Sequence, residues 1–213
     1  MMLRQLYNTL WYPALPLALA LSATRSDAEA RRARLGRGYT ANGTASGNPR
    51  IWAHAASVGE VGAIRPVISA LFDAYPAASA IITTMTATGR DAARRSIPRA
   101  QAHLLAPLDC RRSLGPFLAA VRPALVLIAE TELWPNYFFE SRAAGARLAI
   151  INGRISDRAL NRYRYVRPLI AEALACADLV LAQSEADARR FLALGAASER
   201  IKVTGYTKLD LRS

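Results

Sequence analysis

Residues 51–84 read IWAHAASVGEVGAIRPVISALFDAYPAASAIITT. The stretch opens on a short apolar run, Ile51–Ala55, and closes on another, Ala80–Thr84. Between them Ile64, Val67, Ile68 and Leu71 recur at helical spacing, which predicts a helix over Val61–Tyr75. A strand, a crossover helix and a second strand make a βαβ unit, the building block of a parallel sheet.

The same alternation continues along the chain. Apolar runs at Ala102–Ala106, Ala124–Ala129, Arg147–Ile151, Leu179–Gln183 and Ile201–Thr204 predict five more strands. Helical patterning covers Arg111–Val121, Tyr137–Ala144, Arg162–Ala177 and Glu185–Leu194. Short buried strands alternating with helices imply an α/β domain, a Rossmann-like doubly wound parallel sheet covered on both faces. Ligands of such sheets bind at the carboxyl ends of the strands. The residues that follow each run are therefore the candidates for chemistry: Ser57-Val58-Gly59-Glu60, Thr84-Met85-Thr86, Pro107-Leu108-Asp109, Glu130-Thr131-Glu132, Asn152-Gly153-Arg154 and Ser184-Glu185.

Glu60 follows the first strand and opens the first long helix. It reads equally as a base and as a helix-start acid favoured by the macrodipole. Gly59 and Gly62 are expected to let the backbone turn tightly there. A helix N-terminus lowers a carboxylate's pKa, whereas a base works best near the operating pH; a second carboxylate would push it back up. Glu130 and Glu132, from the end of the fourth strand, are placed to supply one. Asn152-Gly153-Arg154 with Arg158, Arg162 and Arg164 is strongly basic, a phosphate site or a solvated cationic face. His54 reads first as a hydrogen-bonding residue, and His103 as core. The turn after the first strand lacks the GxGxxG pattern and no Walker A motif occurs, which argues against dinucleotide and P-loop chemistry. Cys110 and Cys176 stand far apart with no CxxC neighbour and read as reduced thiols.

The 213 residues carry 28 Lys+Arg against 16 Asp+Glu, a net charge of +12, so an anionic partner is expected. No basic stretch is interleaved with aromatics and no zinc-finger spacing exists, which argues against nucleic acid. From Leu6 to Ala23 no residue is charged, and Arg25, Arg31, Arg32, Arg34 and Arg37 follow. Residues 1–24 read as a membrane anchor with the body on the cytoplasmic side. An interfacial helix, given Pro13 and Pro16, and a cleaved signal peptide remain alternatives. Residues 25–49 read as a basic, flexible linker, with Gly, Ser, Thr and Asn concentrated in Gly36–Pro49. The folded domain is expected over 50–213.

Several ordered blocks resemble one family, the Kdo transferases, bacterial enzymes that move 3-deoxy-D-manno-octulosonic acid from CMP-Kdo onto a lipid A precursor. The blocks are His54-Ala55-Ala56-Ser57-Val58-Gly59-Glu60, Thr83–Gly89, Pro107-Leu108-Asp109, Glu130-Thr131-Glu132-Leu133-Trp134-Pro135-Asn136, Asn152–Ser156 and Thr204–Asp210. The resemblance implies the N-terminal, acceptor-binding half of a GT-B glycosyltransferase. It also implies an inner-membrane location at the cytoplasmic face, anionic headgroups as neighbours, and an inverting transfer without metal or cofactor. It makes Glu60 the base, with Glu130 and Lys208 supporting the transition state. The expected acceptor contacts are Ser57, Gly59, Thr86, Glu132, Asn152, Arg154 and Arg162. Tyr206-Thr207 before Lys208 departs from the family's usual residues. The chain stops at Ser213, where the family would enter its CMP-Kdo-binding half, so the fragment alone is expected to be inactive. Another GT-B envelope glycosyltransferase and a non-catalytic glycolipid-binding fragment are the alternatives.

Overall fold

A computed structural model describes residues 2–23, 28–37, 39 and 48–206. Lys208 lies outside the described residues. Seven parallel strands form one sheet: β1 (Arg50–His54), β2 (Ser79–Thr84), β3 (Ala102–Leu105), β4 (Leu125–Ala129), β5 (Arg147–Gly153), β6 (Leu179–Ala182) and β7 (Ile201–Val203). Their order is β3-β2-β1-β4-β5-β6-β7. The order reverses between β1 and β4, and the crevice at that switch point is where doubly wound sheets bind ligands.

The central strands alternate their buried side chains between two cores. Trp52, Ile81, Val126, Ile128 and Ile150 face one layer, and Ile51, Ala53, Ile82, Leu127 and Ile151 the other. The second layer is closed by α3 (Val58–Ala74) through Ile64, Ile68 and Phe72 and by α4 (Ala87–Ser96) through Ala93. The first is closed by α5 (Arg111–Val121), α6 (Pro135–Ala143), α8 (Arg167–Leu174) and α9 (Glu185–Leu194), with Leu160 of α7 (Asp157–Arg164).

Three elements depart from the expected pattern. The single helix expected over Arg162–Ala177 is two, α7 and α8. Pro168 sits in the first turn of α8, where it has no N–H to donate and its ring would clash with the carbonyl of residue 164, so one helix cannot run through it. Helix α4 is not among the expected helices. Only Gly89, Ala92 and Ala93 are buried, and its start is set by the Thr86 hydroxyl accepting from Gly89 N–H at 3.0 Å.

Within the stretch read as linker lies α2 (Ala28–Arg34), whose Ala30 and Ala33 pack with Leu105. The Arg34 guanidinium donates to Met85 O at 2.6 Å and Ala106 O at 3.1 Å, tying α2 to the carboxyl ends of β2 and β3. Burial lowers the pKa of Arg34 from its ordinary value. Gly36 follows at φ +71, where an added Cβ would strike the carbonyl oxygen of Ser113. Replacing Arg34 by Ala is expected to remove about 1.5–3 kcal/mol of stability in urea unfolding. Faster hydrogen exchange should be confined first to residues 28–37. Unchanged exchange there would mean that α2 is held by something else.

At the N-terminus, α1 (Met2–Ala23) is a continuous helix containing Pro13 and Pro16. Among the described residues no helix is long and apolar enough to cross a membrane. Tyr7, Asn8, Thr9, Tyr12 and the prolines dilute the apolar run, so the spanning anchor expected for residues 1–24 is not shown. The first turns of α1 are docked on the domain instead. Tyr7 donates to Asp109 at 2.6 Å, Arg4 pairs with Glu140 at 3.2 Å, and the Arg4 guanidinium lies 4.3 Å from the Phe139 ring centroid. Leu3, Leu6, Leu10, Tyr12 and Leu17 remain exposed.

Candidate active site

The switch-point crevice is lined by carboxylates. Glu60 lies in the first turn of α3, directly after β1. Ser57 caps that helix in extended conformation, its hydroxyl accepting from Glu60 N–H at 3.4 Å. The Glu60 carboxylate accepts from Ser57 Oγ at 3.0 Å and from Ala56 N–H at 2.9 Å. This reciprocal arrangement is close to a capping box. Gly59 and Gly62 sit within α3 and do not adopt the left-handed backbone found at Gly36, Gly145, Gly195 and Gly205. The turn expected of them is made by Ser57.

Glu60 is 9% exposed, and its pKa is raised from 4.5 to about 7. Burial is the first cause. The charges of Glu132 and Glu130 add to it, while the bonds from Ala56 and Ser57 oppose it. Neighbouring carboxylates alone were the expected cause, and they turn out to be the lesser one.

Glu132 moves the opposite way. Burial would raise it, but the facing His54 ring, the Trp134 indole N–H at 2.5 Å and the charge of Arg162 together hold it below its ordinary value. Trp52 Nε1–H donates to Thr83 Oγ1 at 2.8 Å, and His54 Nδ1 lies 3.0 Å from the same oxygen, which fixes the ring plane. His54 Nε2 then faces Glu132 Oε2 at 3.9 Å, too long for a hydrogen bond. Two titratable groups pushed apart in pKa are the usual arrangement of an acid–base site.

Glu130 and Asn152 end the adjacent strands β4 and β5 at φ 49 and 53, left-handed values that non-glycine residues rarely adopt. Asn152 Nδ2 donates to Glu130 Oε1 at 3.2 Å. Backbone strain of this kind concentrates at functional sites.

The remaining expected residues are distributed around this centre. Arg162 lines a cavity with Glu132, whereas Arg154 lines a neighbouring one with Asp157, Asp187 and Arg190; Ser156 borders both. Thr86 caps α4 at the end of β2. Asp109 is not a ligand-facing residue. It is 4% exposed and accepts from Asn136 N–H at 3.3 Å and Tyr137 N–H at 2.9 Å. Helix α6 has no side-chain cap of its own, so Asp109 caps it from another element. Sequence reasoning missed the coupling of His54 to Glu132 because the two are joined only through the β1–β4 pairing. The one readable signal was a polar residue, Thr83, inside an apolar strand.

A family-wide profile described as 3-deoxy-D-manno-octulosonic-acid transferase (kdotransferase) matches residues 29–211. The chain belongs to the Kdo transferase family. It is 34% identical over 215 residues to the 3-deoxy-D-manno-octulosonic acid transferase of Haemophilus influenzae, covering 100% of this chain and 50% of that protein. The Kdo transferase of Chlamydia pneumoniae is 33% identical over 161 residues, 75% of this chain and 37% of its own length. The chain thus spans about half, or less, of the length of these relatives. Among solved structures, UDP-GlcNAc 2-epimerase from Neisseria meningitidis superposes with TM-score 0.56 at 15% identity, over 76% of this chain and 47% of that one. The Methanocaldococcus jannaschii epimerase gives 0.54 at 13%, over 76% and 46%. These two likenesses establish a shared Rossmann-like fold.

Proposed function

We propose that this Kdo transferase chain forms the acceptor-facing half of a GT-B glycosyltransferase that moves Kdo from CMP-Kdo onto a phosphorylated lipid A precursor, with inversion. The observation that carries the reading is Glu60, a buried carboxyl at the switch point with its pKa raised to about 7. In the proposed step a hydroxyl of the acceptor glucosamine attacks the anomeric carbon of Kdo. The new C–O bond forms as the bond to CMP breaks, and the hydroxyl proton passes to Glu60. Glu130 and Lys208 support the transition state, and CMP-Kdo is held by the half beyond this chain. The reaction is placed at the cytoplasmic face of the bacterial inner membrane, with the exposed apolar residues of α1 and the excess positive charge against anionic headgroups.

The test is transfer by the full-length protein from CMP-Kdo to a diphosphorylated lipid A precursor, read by product mass. Turnover of a different glycolipid alone would instead favour another envelope glycosyltransferase. Arg162 and Arg154 are proposed to meet the acceptor phosphates, though they border adjoining cavities. Arg162→Ala is expected to raise the acceptor KM about three- to tenfold with kcat little changed, as for loss of one solvent-screened charged contact of about 1 kcal/mol. An unchanged KM in the Arg154→Ala, Arg162→Ala double variant would remove that role.

A further inference from the structure

The cavity that Glu132 borders has a volume of about 580 Å3, opens to solvent, and is bounded by the β4–α6 loop, α7, α8 and α1. Pockets that bury small ligands span roughly 300–1,000 Å3. Leu133, Val166, Leu169 and Ile170 supply its aliphatic lining. Leu169 and Ile170 are buried core residues, and Val166 stands exposed at the edge.

Three aromatic residues complete the wall, and each has already committed its polar hydrogen elsewhere. Tyr7 donates to Asp109, Tyr163 to Thr131 O at 3.0 Å, and Trp134 to Glu132. None has a donor left for a polar occupant. The polar lining is confined to Thr131, Glu132, Ser156 and Arg162, so a sugar or a nucleobase seated against α8 would leave its own polar groups unpaired on aliphatic wall, which is costly. The charged lining comes from Arg162 and Glu132, and Glu132 acts electrostatically on Glu60. An occupant matched to both kinds of lining is an amphiphile: an apolar chain against α8 and α1, with an anionic group near Arg162.

We propose that this cavity is an acyl-chain site, which takes one fatty-acyl chain of the acceptor glycolipid and so sets the sugar's position relative to Glu60. The identity of the acceptor rests on the proposed function; the acyl site itself rests on the lining. Helix α1 is then part of the binding wall as well as a neighbour of the lipid surface. Each buried methylene is worth roughly fourfold in affinity, so shortening the seated chain by two carbons is expected to weaken binding about fifteenfold.

Trp134 supplies the readout. In a Trp11→Phe background, a diphosphorylated, acylated glucosamine disaccharide carrying a bromine pair on one chain should quench tryptophan emission. Trp134→Phe should abolish that quenching, since Trp52 is fully buried. Ala159→Phe, which fills the cavity from a half-buried position, should weaken binding at least tenfold, and Val166→Asp at the exposed edge should do the same without touching the core. The deacylated disaccharide should bind both variants as it binds wild type. Binding of the acylated probe without quenching of Trp134, or with no change in both cavity variants, would overturn the proposal. Quenching by brominated phosphatidic acid while the disaccharide fails in either form would uphold the acyl site and discard the acceptor assignment. Absence of quenching with either lipid would overturn the acyl site itself.

Discussion

Glu60→Gln is expected to lower turnover of the full-length protein by about 100- to 10,000-fold, the usual contribution of a positioned general base. Gln keeps the shape: its one carbonyl oxygen can accept from Ala56 N–H while its NH2 donates to Ser57 Oγ, so folding should survive. In the wild type the rate should rise with pH through about 7, as Glu60 ionises. Stability should run the other way. The folded-state pKa lies above the ordinary 4.5, so the folded protein holds this proton more tightly than the unfolded chain. Its stability therefore declines as pH rises from about 4.5 to 7. Gln has no charge to bury, so the variant should lack that decline and be more stable at pH 8, by up to about 3 kcal/mol. Near-wild-type turnover in Glu60→Gln would remove Glu60 as the base, whatever the stability curve did.

Asp109→Ala is the structural counterpart, with an expected loss of about 2–5 kcal/mol in urea unfolding. It leaves the N–H groups of Asn136 and Tyr137 buried without their acceptor and frees the hydroxyl of Tyr7. Each buried donor left unpaired costs about 1–3 kcal/mol. Burial raises Asp109 from 3.8 to about 7 against the pull of these same hydrogen bonds. The wild type accordingly loses stability through this group as pH rises from about 3.8 to 7, and alanine cannot. The gap between the two proteins should be larger near pH 5 than near pH 8. A gap that widened with pH would contradict the buried, raised carboxyl. Hydrogen exchange should also show the first turns of α1 released along with the start of α6.

The seven strands and the carboxyl-end placement of the candidate site are legible in the chain because the strands are short apolar runs between helices. Helices with an apolar stripe, such as α3, are legible for the same reason. Helix α4 is not, since its buried face is made of glycine and alanine and carries no large apolar residue. The break between α7 and α8 was signalled by Arg167-Pro168. Glu60, Glu130 and Glu132 can be named from position, but their electrostatics cannot. The rise at Glu60 comes first from burial, which needs the packed fold, and the fall at Glu132 needs Trp134, His54 and Arg162 in three dimensions. Asp109 illustrates the reverse error: it sits at a strand end like a ligand residue, yet its bonds go to the start of α6, a partner no local pattern reveals.

The left-handed backbones at Glu130 and Asn152 have a consequence for anyone who engineers this fold. Glycine at either position would relax the backbone, but at fully buried Asn152 it would also empty the site of the amide that donates to Glu130. At half-buried Glu130 the relaxation would register as a gain in a thermal screen while deleting a carboxylate of the crevice. A laboratory selection that rewards heat resistance alone would drift toward glycine at Glu130 and dismantle the site while the protein grew sturdier.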